Sequence, residues 1–170
     1  LDYIRFAGQN SGFEATARTQ FERAIGRRIA DWPDAVLENK GLRAKWTAFR
    51  TEIVSTLVRD IRKVIRRYRQ NAELSAAVFP EVTTARDSVG QNWPDWARRG
   101  YVDFLCPMTY TTSADRLRRL ASAGQAAVSG KNVPLYPGIG ATNERLTSVQ
   151  VTEQITALRR LGTGRCTLFE

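Results

Sequence analysis

The feature that most constrains this chain is a steady alternation of strand-type and helix-type stretches, repeated five times over 170 residues. Such alternation implies a parallel sheet, because parallel strands can be joined only by long crossovers that lay a helix on the sheet. The chain opens on Leu1-Asp2-Tyr3-Ile4-Arg5-Phe6, where apolar and polar residues alternate with the period of a strand. Further strands are predicted at Glu73–Pro80, Val102–Tyr110, Asn132–Ile139 and Gly164–Glu170. Helices are predicted at Glu14–Ile25, with Gly26 ending or kinking it, at Gly41–Tyr68, at Ala114–Val128, and at Ser148–Leu161 with Thr147 or Ser148 as its cap. Asp31-Trp32-Pro33-Asp34 reads as a turn opening a short helical piece, residues 81–90 read as a loop, and Gln91–Gly100 reads as a loop entering a short helix.

Five units in 170 residues give about 34 residues each, so eight would need roughly 270, the size of a (β/α)8 barrel. The predicted fold class is therefore α/β, a partial TIM barrel of five parallel strands alternating with helices, in one domain spanning 1–170. A chain that opens and closes on a strand pattern fits part of such a barrel. The alternative is an open five-stranded sheet. Gly138-Ile139-Gly140-Ala141-Thr142 gives that alternative no dinucleotide fingerprint, since it lacks the third glycine and does not lead directly into a helix.

Gly41–Tyr68 is the longest element. Leu42, Trp46, Phe49, Ile53, Leu57, Ile61, Val64, Ile65 and Tyr68 fall at steps of three and four and are expected to face the core. Arg43, Lys45, Arg50, Arg59, Arg62, Lys63, Arg66, Arg67 and Arg69 are expected on a solvated face. The net charge of +9 raises a nucleic-acid partner, but the arginines are spread over several helices with acidic neighbours and no basic block carries interleaved aromatics. No nucleic-acid partner is therefore expected. No apolar run reaches the length of a membrane span, and the first residues read as strand rather than leader, so no signal is visible in this chain.

Histidine is absent, which excludes Ser-His-Asp and Cys-His catalysis and the usual zinc sites within this chain. Cys106 and Cys166 form no C-x-x-C pair and fall on strands separated by a third, so two buried free thiols are expected. Neither cofactor nor metal is expected. In α/β folds chemistry is placed at the carboxyl ends of strands, which makes Asp2 the first candidate for a catalytic carboxylate. Arg5 is expected to keep it ionised, or else Asp2 is a structural partner of Arg5.

Several stretches in register resemble one family: L-D-Y-I-R-F, then F-E-R-A-I-G with D-W-P-D, the W-x-x-F-R helix, Q-N-W-P-D-W, V-D-F-L-C-P-M-T-Y, Y-P-G-I-G and T-L-F-E. Together they resemble the glycosyl hydrolase-like 10 family, a bacterial group with a TIM-type barrel related to glycoside hydrolases. The resemblance implies that Leu1–Phe6 is the fourth barrel strand and Gly164–Glu170 the eighth. It also implies a secreted or cell-envelope setting and a polysaccharide or oligosaccharide substrate. Where family members often carry Q-D-W, this chain has Gln91-Asn92-Trp93, and Asn92 cannot ionise.

Glycoside hydrolysis needs two carboxyl groups across the scissile bond, one ionised and one protonated. With Asp2 as the first, Glu170 is the candidate for the second. Glu81 and Asp87 are alternatives, as is a residue outside this sequence. Asp95 reads as a helix-start charge and Asp103, early in its strand, as structural. Tyr3, Arg5, Asn92, Trp93, Tyr110 and Tyr136 are the candidates for binding sugar, the aromatics as stacking platforms. Met108 is expected to be packing. The expected function is hydrolysis of O-glycosidic bonds, with non-catalytic carbohydrate binding as the alternative.

Overall fold

The computed structural model describes residues 1–169, so Glu170 lies outside the described residues. The order of elements is α1 (Ala15–Ile25), α2 (Asp34–Glu38), α3 (Lys40–Tyr68), β1 (Ser75–Val78), α4 (Val82–Val89), α5 (Trp93–Arg98), β2 (Phe104–Pro107), α6 (Ala114–Ala127), β3 (Gly138–Gly140), α7 (Ser148–Arg160) and β4 (Thr167–Phe169). The fold is thus α/β, with seven helices and four short parallel strands among the described residues. β1 pairs with β2 and β3 with β4, and a parallel bridge from Leu105 to Leu135 joins the two pairs. Thr109, fully buried, adds a side-chain tie at 2.8 Å from Oγ1 to the Gly138 carbonyl.

The opening segment departs from the strand expected there. Leu1 does sit against β1, donating to the Ser75 carbonyl and accepting from Ala77 N–H at 2.8 Å. The backbone then turns. Tyr3 has φ 51°, a left-handed conformation that costs a non-glycine residue about 1–3 kcal/mol, and Arg5 N–H closes back on the Tyr3 carbonyl at 2.7 Å. Side chains replace the missing ladder. Gln91, with no exposed surface, donates to the Ala77 carbonyl at 3.2 Å and accepts from Phe79 N–H at 2.9 Å.

The core packs α3 and α5 over the strands: Val54, Val58, Leu74, Ala76, Val78, Trp93, Trp96, Val102 and Leu105 form one buried cluster. A second cluster, Phe21, Ile29, Val36, Leu42 and Trp46, lets α1 and α2 cover the first half of α3. α3 has the expected extent, and Leu42 and Trp46 are buried as expected, but further along the helix the buried face is shifted. Val54 and Val58 are inside, whereas Leu57, Val64 and Tyr68 are exposed. Two arginines expected in solvent are also buried. Arg50 donates to the Gly8, Gln9 and Ser88 carbonyls, and burial lowers its pKa. Arg62 holds Asp103 through both carboxylate oxygens.

α4 occupies residues expected to be loop. Val82, Ala85 and Val89 recur at helical spacing, Ala85 and Val89 are buried, and Gly90 at φ 77° ends the helix. Of the strand expected over Asn132–Ile139, Leu135 forms only an isolated bridge, and β3 proper is Gly138–Gly140, at the end of that stretch. Both cysteines are free. Cys106 is buried, but Cys166 is only half-buried, and burial raises the pKa of both thiols.

Candidate functional site

A pocket of about 490 Å³ opens where the strands end. Asp2, Tyr3 and Arg5 come from the segment after Leu1, Phe79 and Pro80 follow β1, and Met108 and Tyr110 follow β2. Asn143 follows β3, and Phe169 is the last residue of β4. The lining residues from β1 to β4 therefore sit at carboxyl ends, the side where parallel α/β folds place ligands, and the opening segment joins them there. A larger groove, about 790 Å³, lies among α3, α4 and α5 and is lined by residues of the helical layer.

The geometry brings together Asp2, Tyr3, Arg5 and Tyr110 of the residues expected at the site. Asp2 and Arg5 are not an ion pair. The Asp2 carboxylate accepts from Tyr3 N–H at 2.8 Å, while the Arg5 guanidinium lies over the rings of Tyr3 at 4.8 Å and Phe79 at 5.2 Å. Such cation–π contacts hold a charged group in place while leaving its N–H donors free for a ligand. Tyr3, three-quarters exposed, presents its ring to solvent. The Tyr110 phenol is pushed up to about 12, first by burial, then by the negative charge of Asp2 and by Tyr3. It stays protonated at neutral pH and is a hydrogen-bond donor to whatever fills the pocket. Asp2 is the one carboxylate lining the pocket among the described residues.

Three other expected binding residues lie elsewhere. Trp93 is 0% exposed, and its Nε1 donates to the Phe79 carbonyl at 3.0 Å, so it offers no face for stacking. Gln91 and Trp93 together hold both backbone polar groups of Phe79, so this motif supports the pocket wall from behind. Asn92 lines the outer groove instead, because adjacent residues at a helix start point about 100° apart. Tyr136 packs on Phe104 with 4.8 Å between ring centroids, and its hydroxyl accepts from Arg165. Glu81 precedes α4 and accepts from Thr84, and Asp87 pairs with Arg86; neither lines the pocket. Asp103 has the structural place expected of it, at the amino end of β2.

Phe79, Pro80, Met108, Asn143 and Phe169 are pocket residues that chemistry-bearing motifs did not single out. Met108, expected as packing, lines the pocket as well. Position was the available signal, since each stands within about three residues of a strand end.

The sequence model of one family, described as glycosyl hydrolase-like 10, matches residues 2–155. An S-layer-related protein of Niallia circulans is 24% identical over 88% of this chain and 11% of its own length. The chain thus spans about a tenth of the length of that curated relative. No helix among the described residues is long and apolar enough to cross a membrane.

Proposed function

Since the chain belongs to the glycosyl hydrolase-like 10 family, we propose that its strand-end pocket binds a bacterial envelope or extracellular polysaccharide and takes part in hydrolysing its O-glycosidic bonds. The observation that carries this reading is the convergence of Asp2, Tyr3, Arg5, Tyr110 and Phe169 from three chain segments onto one 490 Å³ pocket. In the same reading the chain is a single domain, five strand positions of a (β/α)8 barrel, with Leu1–Phe6 as the first of them. Tyr3 and Tyr110 offer aromatic faces to the apolar side of a pyranose, and Arg5 supplies unused donors to its oxygens. Asp2 acts as the ionised carboxylate of the pair that glycoside hydrolysis requires. Glu170, next to Phe169, is the proposed proton donor. An envelope or secreted setting accords with the family and with a relative whose name is S-layer-related.

Purified protein is expected to release reducing ends from one of a panel of bacterial envelope polysaccharides, and Asp2→Asn to lower the rate by at least 10³-fold. Full activity in Asp2→Asn would remove Asp2 from the reaction. A second reading, carbohydrate binding without turnover, is favoured by the lone carboxylate among the described lining residues and by Asn92 in place of an acid. Calorimetric binding of a glycan with no product formed would select it.

A further inference from the structure

β3 contains two glycines, Gly138 and Gly140, on one face of the strand, since residues two apart point the same way. Neither needs a left-handed backbone, so conformation does not require glycine at either position. Both are fully buried in the sheet, where glycine costs about 0.5–1 kcal/mol relative to alanine. What they provide is clearance. A Cβ on Gly140 would lie 2.9 Å from both Cγ and Cδ1 of Tyr110, and a Cβ on Gly138 would lie 2.6 Å from Cε2 of Phe169. Tyr110 and Phe169 meet edge to face, 5.5 Å between centroids, and both line the strand-end pocket.

We propose that Gly138 and Gly140 are positioning residues: together they form a bare backbone shelf that seats Phe169 and Tyr110 and thereby sets the depth of the pocket. A glycine in a strand commonly marks such a close approach. Without the shelf, Tyr110 would be displaced by the added methyl group away from β3, toward the pocket that it lines. The ring would then fill space meant for ligand and carry its hydroxyl away from Asp2. That the ligand is a glycan rests on the function proposed above; the seating of the rings does not.

The test is a cycle of Gly140→Ala, Tyr110→Ala and the double variant, read by thermal unfolding and by NMR of protein labelled at tyrosine Cζ. In the unmodified protein the Tyr110 resonance is expected to keep its protonated position up to about pH 11. In Gly140→Ala the displaced phenol becomes solvated and is expected to titrate with a midpoint near pH 10. Gly140→Ala should lower Tm by several degrees, and by less than half as much when Tyr110 is already alanine. An unchanged Tyr110 titration, or an equal loss of Tm in both backgrounds, would overturn the proposal. Should Gly140→Ala fail to fold, the double variant decides: recovery of folded protein supports the shelf, and no recovery overturns it. On a polysaccharide that the unmodified protein cleaves, Gly140→Ala is expected to raise KM at least tenfold. If seating is confirmed while no glycan binds, the glycan reading fails and the shelf stands.

Discussion

Replacing Asp103 with asparagine tests the structural core most directly. Asp103 accepts from Arg62 through both oxygens, at 2.6 Å for the Nη2–Oδ1 contact, and its Oδ2 also accepts from Leu74 N–H at 2.7 Å. One carboxylate thus ties α3 to the amino ends of β1 and β2. Arg62 is buried, so its charge has little recourse to water once the partner is neutral. An asparagine keeps one acceptor and turns a donor toward groups that are all donors. Charge-assisted bonds contribute about 1.5–3 kcal/mol each, and stranding a buried charge costs about 3–5 kcal/mol. Because Asp103 is about a quarter exposed, water recovers part of this, and a loss of about 3 kcal/mol is expected. In a chain of this size that corresponds to a fall in Tm of about 6–12 °C.

The loss should depend on pH. The Arg62 guanidinium, and secondarily Leu74 N–H, hold the Asp103 carboxyl below its ordinary value of 3.8 against the opposing effect of burial. A carboxylate lowered in the folded state contributes stability fully above its unfolded pKa and loses that contribution as pH falls through its folded pKa. The Tm gap between unmodified protein and Asp103→Asn should hold from neutral pH to about pH 5 and shrink below about pH 4. A gap under about 2 °C at pH 7, or a full-sized gap at the lowest pH where the protein stays folded, would refute the reasoning.

On α3, Val58→Ala is expected to cost about 2 kcal/mol and Val64→Ala less than about 0.5, measured by urea unfolding, because Val58 is 0% and Val64 57% exposed. At the start of α7, Thr147 and Gln150 form a reciprocal capping box, so Thr147→Ala should cost about 1 kcal/mol by the same measurement.

Much of the order was legible in the sequence. Periodicity located α1, α3, α6 and α7, and residue type narrowed the α7 cap to Thr147 or Ser148, of which the structure uses Thr147. α4 was not legible, because V-T-T-A-R-D-S-V is rich in residues with modest helix propensity, and burial of Ala85 and Val89 outweighs that preference. The buried face of α3 was also hidden. Apolar residues cover a wide arc of this helix, and only the placement of α1, α2, α4 and α5 around it decides which part is covered. Arg50 and Arg62 show the same effect, since carbonyls and a carboxylate brought from distant segments make their burial tolerable.

The site divides in the same way. That Asp2, Tyr3, Arg5 and Tyr110 would share one rim was legible because strand ends face one side in this class of fold. That Asn92, Trp93 and Tyr136 lie apart from that pocket was not legible, because residue type does not reveal which way a side chain points. By itself the sequence determined the alternation of elements, the family and the carboxylate at the opening segment. Tertiary structure alone decided that Arg5 rests on Tyr3 and Phe79 rather than on Asp2, that Trp93 is scaffolding, and that two β3 glycines lie beneath pocket-lining rings. The physical reason is that periodicity is local, whereas burial, clearance and charge pairing depend on residues far apart in the chain.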